Sequence, residues 1–157
     1  MPEIRDAEQG QLEACVELWV QACAVRDGHR ATGVAERERT KFANSAAWLV
    51  SERNAQINGF ALATLPGSGS PNDPAHAAVL GLLAVDPAAQ GGGLGRRLLR
   101  AITTELANHG YQEAVLHVLT DNTGAVRLYE SEGWQRHGEP FDHTLLHRPS
   151  QSYIRQF

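Results

Sequence analysis

Apolar and polar positions along this chain alternate between a helical and a strand period. Leu94, Leu98, Ile102 and Leu106 recur every four residues and Leu99 widens the stripe, which predicts an amphipathic helix running to about Asn108. Gly110 stands where a helix cap is expected. Leu12, Cys15, Val16, Trp19 and Cys23 form a second stripe, giving a helix from Gln11 to about Val25 that Asp27-Gly28-His29 breaks. Val34 and Phe42 anchor a weaker helix from about Thr32 to Ala43, and its charged run Glu36–Arg39 reads as a solvated face. Asp121-Asn122 supplies an N-cap for a fourth helix through Glu132, with Ala125, Leu128 and Tyr129 on one face. Gly133 ends it, and Trp134 can pack back on its last turn.

The strand signals are Ile4–Arg5, Trp48–Glu52, Phe60–Leu65, Val79–Val85, Ala114–Leu119, Trp134–His137 and Thr144–His147. Turn formers in Asn54–Gly59 make the second and third a hairpin. Pro66–Pro74 is a low-complexity segment too short for a domain linker, and it predicts a mobile hairpin loop. Gly138–His143 reads as a loop, and the tail beyond Pro149 as edge pairing or a dimer contact. Strand, two helices, three strands, helix, strand, helix, two strands: the order predicts a mixed α/β sheet without internal repeat.

Composition narrows the class without naming a function. A chain of 157 residues, 42% hydrophobic and 20% charged, is expected to be one domain, residues 1–157, with a real core. Its formal net charge of −4 lacks the basic excess of a nucleic-acid binder. No apolar run approaches membrane-spanning length, and Met1–Asp6 has no apolar signal core, so a cytoplasmic protein without a membrane partner is expected. Cys15 and Cys23 stand eight residues apart on one helix, roughly 12 Å along its axis, too far for a disulfide. Buried thiols are the expectation.

The chemistry concentrates where the Val79–Val85 strand meets its helix. Asp86-Pro87 stops the strand, and Gln90-Gly-Gly-Gly-Leu-Gly95 follows before the helix begins. A glycine-rich turn at a helix start leaves backbone N–H groups pointing outward at a partly positive terminus, a setting suited to phosphate or pyrophosphate. No Gly-Lys-Ser/Thr closes the loop, and Arg96 stands where a dinucleotide fingerprint needs its third glycine.

The string Val85-x-Pro87-x-x-Gln90-Gly91-x-Gly93-Leu94-Gly95 resembles the acyl-CoA signature of the GNAT superfamily of N-acetyltransferases. About 30 residues on, Asn122-x-x-Ala125-x-x-Leu128-Tyr129-x-x-x-Gly133-Trp134 is similar to the same family's second segment, with tryptophan for its usual phenylalanine. The likeness covers residues 79 to 134; the first half agrees only in element order. It implies a single-domain α/β fold, a mixed and mostly antiparallel sheet of six to seven strands flanked by about four helices.

The resemblance also implies roles. Backbone amides from Gln90 to Arg96, those of Gly91, Gly92, Gly93 and Gly95 included, would hold the CoA pyrophosphate of acetyl-CoA. The backbone of Leu83, Ala84 and Val85 would pair with the pantetheine arm, in a slot opened where this strand splays from the next. Asn122 would line that slot while also capping its helix. Tyr129, protonated at neutral pH, would donate to the departing sulfur, and the Val85 N–H would meet the oxyanion.

In general-base chemistry the sequence departs from the pattern. Many relatives carry a glutamate where this chain has Val79. His76, His117, Asp142, a water chain or an amine that enters neutral are the alternatives. Neither cysteine lies in the motif region, so the expectation is direct transfer from acetyl-CoA to a primary amine of a small molecule, without a metal. A protein or peptide N-acetyltransferase and a noncatalytic acyl-CoA-binding module are the rival readings. The acceptor would be set by loops around Asp27–His29 and Gly138–His143. A homodimer is possible, since relatives often dimerise.

Overall fold

The computed structural model describes residues 3–29 and 32–157. Met1 and Pro2, which open the segment read above as lacking a signal core, and Arg30–Ala31 between the first two helices lie outside the described residues. In chain order the elements are β1 (Glu3–Asp6), α1 (Leu12–Asp27), α2 (Val34–Lys41), β2 (Ser45–Arg53), β3 (Gln56–Thr64), β4 (Ala78–Val85), α3 (Leu94–Asn108), β5 (Glu113–Leu119), α4 (Thr123–Ser131), β6 (Gln135–Asp142) and β7 (Pro149–Gln156). The seven strands form one sheet in the order β1-β2-β3-β4-β5-β7-β6, antiparallel except between β4 and β5.

Helices cover both faces. The stripe that predicts α3 is the buried one: Leu94, Leu98, Leu99, Ile102 and Leu106 pack on Leu49, Ala61, Leu80 and Leu116. Each such side chain contributes roughly 1.5–3 kcal/mol by leaving water. Ala125, Leu128 and Tyr129 of α4 border the same cluster, with Trp134 buried beside them. On the opposite face Cys15, Val16 and Leu18 of α1 join Phe42, Val50, Phe60, Leu62, Leu82 and Ala84. Both cysteines are free, Cys15 buried and Cys23 partly so.

Four expectations give way to the tertiary structure. Residues Thr144–His147 form a turn, and the last strand is β7, Pro149–Gln156. It is no edge: β7 inserts between β5 and β6. Its buried positions include Ser150, Gln151 and Ser152, whose polarity hides a buried strand from any apolar-pattern reading. Gln151 donates from Nε2 to the carbonyls of His137 and Gly138, filling the irregularity in β6. Gly138–Asp142 therefore belongs to a strand, leaving His143 to open the turn. The Glu36–Arg39 run is not uniformly solvated either. Glu38 is 5% exposed and ion-paired to Lys41 at 2.7 Å, because α2 packs on α1 and turns that side toward the interior.

Between β4 and β5 the sheet opens. The two pair only at Ala78–Ala114 and Val79–Val115 and then part. On the other side of β4 the register with β3 shifts by one residue at Gly81, so Leu82 faces Leu62 while Leu80 faces Ala63. An extra residue bends a strand locally, and here the bend turns β4 away from its parallel neighbour.

Candidate active site

The gap between the parted strands is the throat of a cavity of about 880 Å³. Leu83, Ala84, Val85, Gln90, Asn122 and Tyr129, six of the sequence-derived site residues, line it together. Beyond Val79 the β5-facing edge of β4 is not engaged by β5, which leaves backbone N–H and C=O groups available to an extended, amide-containing chain. Asn122 does cap α4, its Oδ1 accepting from the Ala125 N–H at 3.4 Å, and it keeps its amide group for the cavity.

At the end of β4, Asp86 caps the short turn Pro87–Ala89 by accepting from the Ala88 N–H at 2.9 Å. The chain then turns through Gly91 and Gly93, with φ of 89° and 79°. Side chains rarely adopt such values, so these two glycines serve the turn itself. Gly93 is the N-cap of α3 and carries no side-chain cap; the first helical bond runs from the Arg97 N–H to the Gly93 carbonyl. The N–H groups of Leu94, Gly95 and Arg96 precede that bond and face outward. Nothing lies within 4 Å of a Cβ built on Gly91 or Gly93. The Arg96 guanidinium points elsewhere: with Arg100 it grips Glu132, tying α3 to the end of α4 and holding that carboxyl below its ordinary range. Only the Arg96 backbone serves the turn.

Tyr129 is partly buried, its ring 6.1 Å from that of Trp134, and burial pushes its phenol up to about 12. It is therefore a donor across the physiological range. Cys23 also lines the cavity, which its distance from the motifs did not suggest. Burial raises its thiol to about 11, so it is a protonated thiol and a poor nucleophile at neutral pH.

Of the three candidate bases, only His117 reaches the cavity; His76 and Asp142 are exposed and do not line it. His117 is paired through Nε2 to Asp73 Oδ1 at 2.8 Å. Asp73 lies in the connection read above as a mobile loop. That connection is instead tied to the sheet: Thr64 and Ser68 hydroxyls meet at 2.6 Å, and the Ser70 N–H donates to Asp73 Oδ2 at 2.9 Å. In sequence, Asn72-Asp73-Pro74 carried only a turn signal.

The far wall of the cavity comes from α1, α2 and the β6–β7 turn. It includes Arg26, Asp27, Arg37, Glu38, Lys41 and His143. Asp27 is held well below the carboxylate range by a bidentate Arg26 and by Arg148. His143 is lowered to about 4 by burial, with the Arg37 and Lys41 charges adding to the effect. Its Nδ1 accepts from the Leu145 and Leu146 N–H groups, as a neutral imidazole can. Among the described residues no group of His, Cys, Asp or Glu could hold a metal ion, and no helix is long and apolar enough to cross a membrane.

Residues 12–134 match the Acetyltransferase (GNAT) family, covering both motifs, the glycine turn and the parted strands. The chain belongs to that family. Its GNAT relatives include the mycothiol acetyltransferase of Kocuria rhizophila, 46% identical over 71 residues, which are 45% of this chain and 22% of that protein. The mycothiol acetyltransferase of Amycolatopsis mediterranei is 34% identical over 104 residues, 64% of this chain and 34% of its own length. The chain thus spans about a fifth to a third of the length of these curated relatives. Among solved GNAT structures, the ribosomal-protein-S18-alanine N-acetyltransferase of Escherichia coli superposes with a TM-score of 0.77 at 22% identity, over 99% of this chain and 94% of that one. The PaiA N-acetyltransferase of Thermoplasma acidophilum, solved with coenzyme A, gives 0.76 at 17% identity over 100% and 99%. At these identities the likeness is one of fold.

Proposed function

We propose that this GNAT protein transfers an acetyl group from acetyl-CoA directly to a primary amine of a small molecule. The observation that carries the reading is the parting of β4 from β5 beyond Val79, which leaves a bare strand edge leading from the glycine turn to Tyr129. Acetyl-CoA supplies the activated acetyl group; the turn amides of residues 90–96 would hold its pyrophosphate, and the backbone of Leu83–Val85 its amide-bearing arm. The Val85 N–H would donate to the carbonyl oxygen as charge grows there. Tyr129 donates its hydroxyl hydrogen toward the sulfur as the C–S bond breaks. The high thiol range of Cys23 supports direct transfer without an acetyl-cysteine.

A small acceptor is supported by the cavity itself, which α1, α2 and the β6–β7 turn wall in around charged side chains. The relatives differ in what they are named for, mycothiol for some and ribosomal-protein alanine for others, so they do not choose the acceptor. The test is a screen with acetyl-CoA, reading thiol release across polyamines, amino acids, aminoglycosides and peptides. Release with small amines supports the proposal. Release with peptides alone would make this a protein acetyltransferase, and acetyl-CoA binding without release to any amine would make it a binding module.

A further inference from the structure

We infer that His117, held by Asp73, takes the proton from the acceptor amine, an assignment that rests on the acetyl-transfer reading. An alkylamine with a pKa near 10 arrives as an ammonium ion and has no lone pair for attack until it loses a proton. Val79 cannot accept one. His117 lies two residues beyond Val115, the β5 partner of Val79. Strand periodicity puts its side chain on the same face, just past the point where β4 and β5 part. There it lines the cavity with Tyr129 and Leu83–Val85.

The carboxylate that Val79 lacks arrives from another element. A Cβ built on Gly69 would stand 2.3 Å from Asp73 Oδ2, 3.2 Å from Val79 Cγ2 and 3.4 Å from His117 Cε1. The bare backbone of Gly69 therefore lies across Val79, and its lack of a side chain lets Asp73 close on the imidazole. The Asp73 side chain is 5% exposed, and its second oxygen is occupied by the Ser70 N–H. An ionised carboxylate only accepts, so His117 Nε2 carries hydrogen and the lone pair is on Nδ1. Phe141 packs edge-on at 5.5 Å and restricts the ring further. When Nδ1 accepts a proton, the resulting imidazolium sits beside a fixed negative charge, the arrangement that makes an imidazole an effective base.

The step balances as follows. The ammonium ion gives one proton to Nδ1, and the freed nitrogen pair forms the C–N bond. The C–S pair leaves on sulfur, steadied by Tyr129, and a second proton from the nitrogen converts that thiolate to the CoA thiol. The proton on His117 passes to solvent.

Other charged and titratable groups share the surroundings. On the same sheet row, His117 pairs with Ser152 of β7, which pairs with His137 of β6. Across the cavity stand Arg26 and Asp27 of α1, Arg37, Glu38 and Lys41 of α2, and His143 of the β6–β7 turn. The experiment compares kcat/KM against pH for the wild type, His117→Gln, Asp73→Asn and the control His137→Gln. It uses acetyl-CoA and whichever primary alkylamine of the screen releases thiol. His117→Gln should lose about 10²–10³-fold at neutral pH and regain activity tenfold per pH unit as free amine accumulates. Asp73→Asn should lose less and move the acid limb to lower pH, because the charge favouring the imidazolium is gone. A role confined to packing would not move that limb. His137→Gln should keep the wild-type profile. Circular dichroism and acetyl-CoA calorimetry confirm that each variant is folded. An unchanged acid limb in folded His117→Gln overturns the assignment and leaves acetyl transfer standing. No thiol release by the wild type with any amine overturns both.

Discussion

Removal of one oxygen atom at Tyr129 tests how the leaving group is handled. Burial holds the phenol at about 12, whereas an alkyl thiol ionises near 8.5. Complete proton transfer from Tyr129 to a thiolate would run roughly 5 kcal/mol uphill. The tyrosine must therefore act as a hydrogen-bond donor that remains protonated. A hydrogen bond to a charged group is worth about 1.5–3 kcal/mol, so Tyr129→Phe should lower kcat about 10- to 150-fold. The phenyl ring still packs on Trp134, now 6.1 Å away, so affinity for CoA by calorimetry should stay within about twofold. Turnover is read as thiol release, under conditions where added viscogen leaves the rate unchanged and chemistry is limiting. Full wild-type turnover would return Tyr129 to the core and remove it from the mechanism. A loss well beyond about 10³-fold would mean that the proton is fully transferred, and the environment of the phenol would need rethinking.

Gly93→Asp should weaken acetyl-CoA binding at least tenfold, since it sets a negative charge and a strained φ at the start of α3; Gly93→Ala separates strain from charge, and equal calorimetric affinities in all three proteins would dismiss the turn as the pyrophosphate site. Mixing the protein with acetyl-CoA and no acceptor should leave its intact mass unchanged, because Cys23 is a protonated thiol at neutral pH; an acetylated protein would overturn direct transfer. His143 is lowered to about 4 in the fold, so between its unfolded value near 6.5 and pH 4 the unfolded chain binds the extra proton. Stability should fall through that window by a few degrees of Tm, and His143→Gln should flatten the fall; parallel curves would argue that the imidazole is not held neutral. Asp27 acts in the same direction at lower pH: its carboxyl is depressed by Arg26 and Arg148, so its contribution is complete above about pH 4 and lost below it. Acid melts of Asp27→Asn should therefore be shallower at the low end than those of the wild type.

The sequence by itself determined those parts that short-range physics dictates. The four-residue recurrence from Leu94 to Leu106 made α3 and its buried face legible. The glycines of residues 91–95 marked a strand-to-helix turn because only that residue tolerates such φ values cheaply. Asn122 capped α4 as its side-chain chemistry predicts. These features require only neighbours within a few turns of chain, and they were sufficient to carry the family resemblance. The order of elements likewise reached the fold class.

Long-range packing decided the rest. β7 lies between β5 and β6 although Ser150, Gln151 and Ser152 are polar, because both flanking strands pair with its backbone and the Gln151 amide donates to the His137 and Gly138 carbonyls. Glu38 is buried beside Lys41 only because α2 packs on α1 and turns that side toward the cavity, a placement that an eight-residue helix does not encode in its own pattern. Asp73 meets His117 across 44 positions of sequence. In the linear chain one was a turn residue and the other a lone histidine on a strand. Their pairing follows from the β3–β4 connection folding over Val79, and that fold depends on the bare backbone of Gly69. A contact of that kind has no local periodicity, so the chemistry it creates becomes visible only when the sheet is assembled.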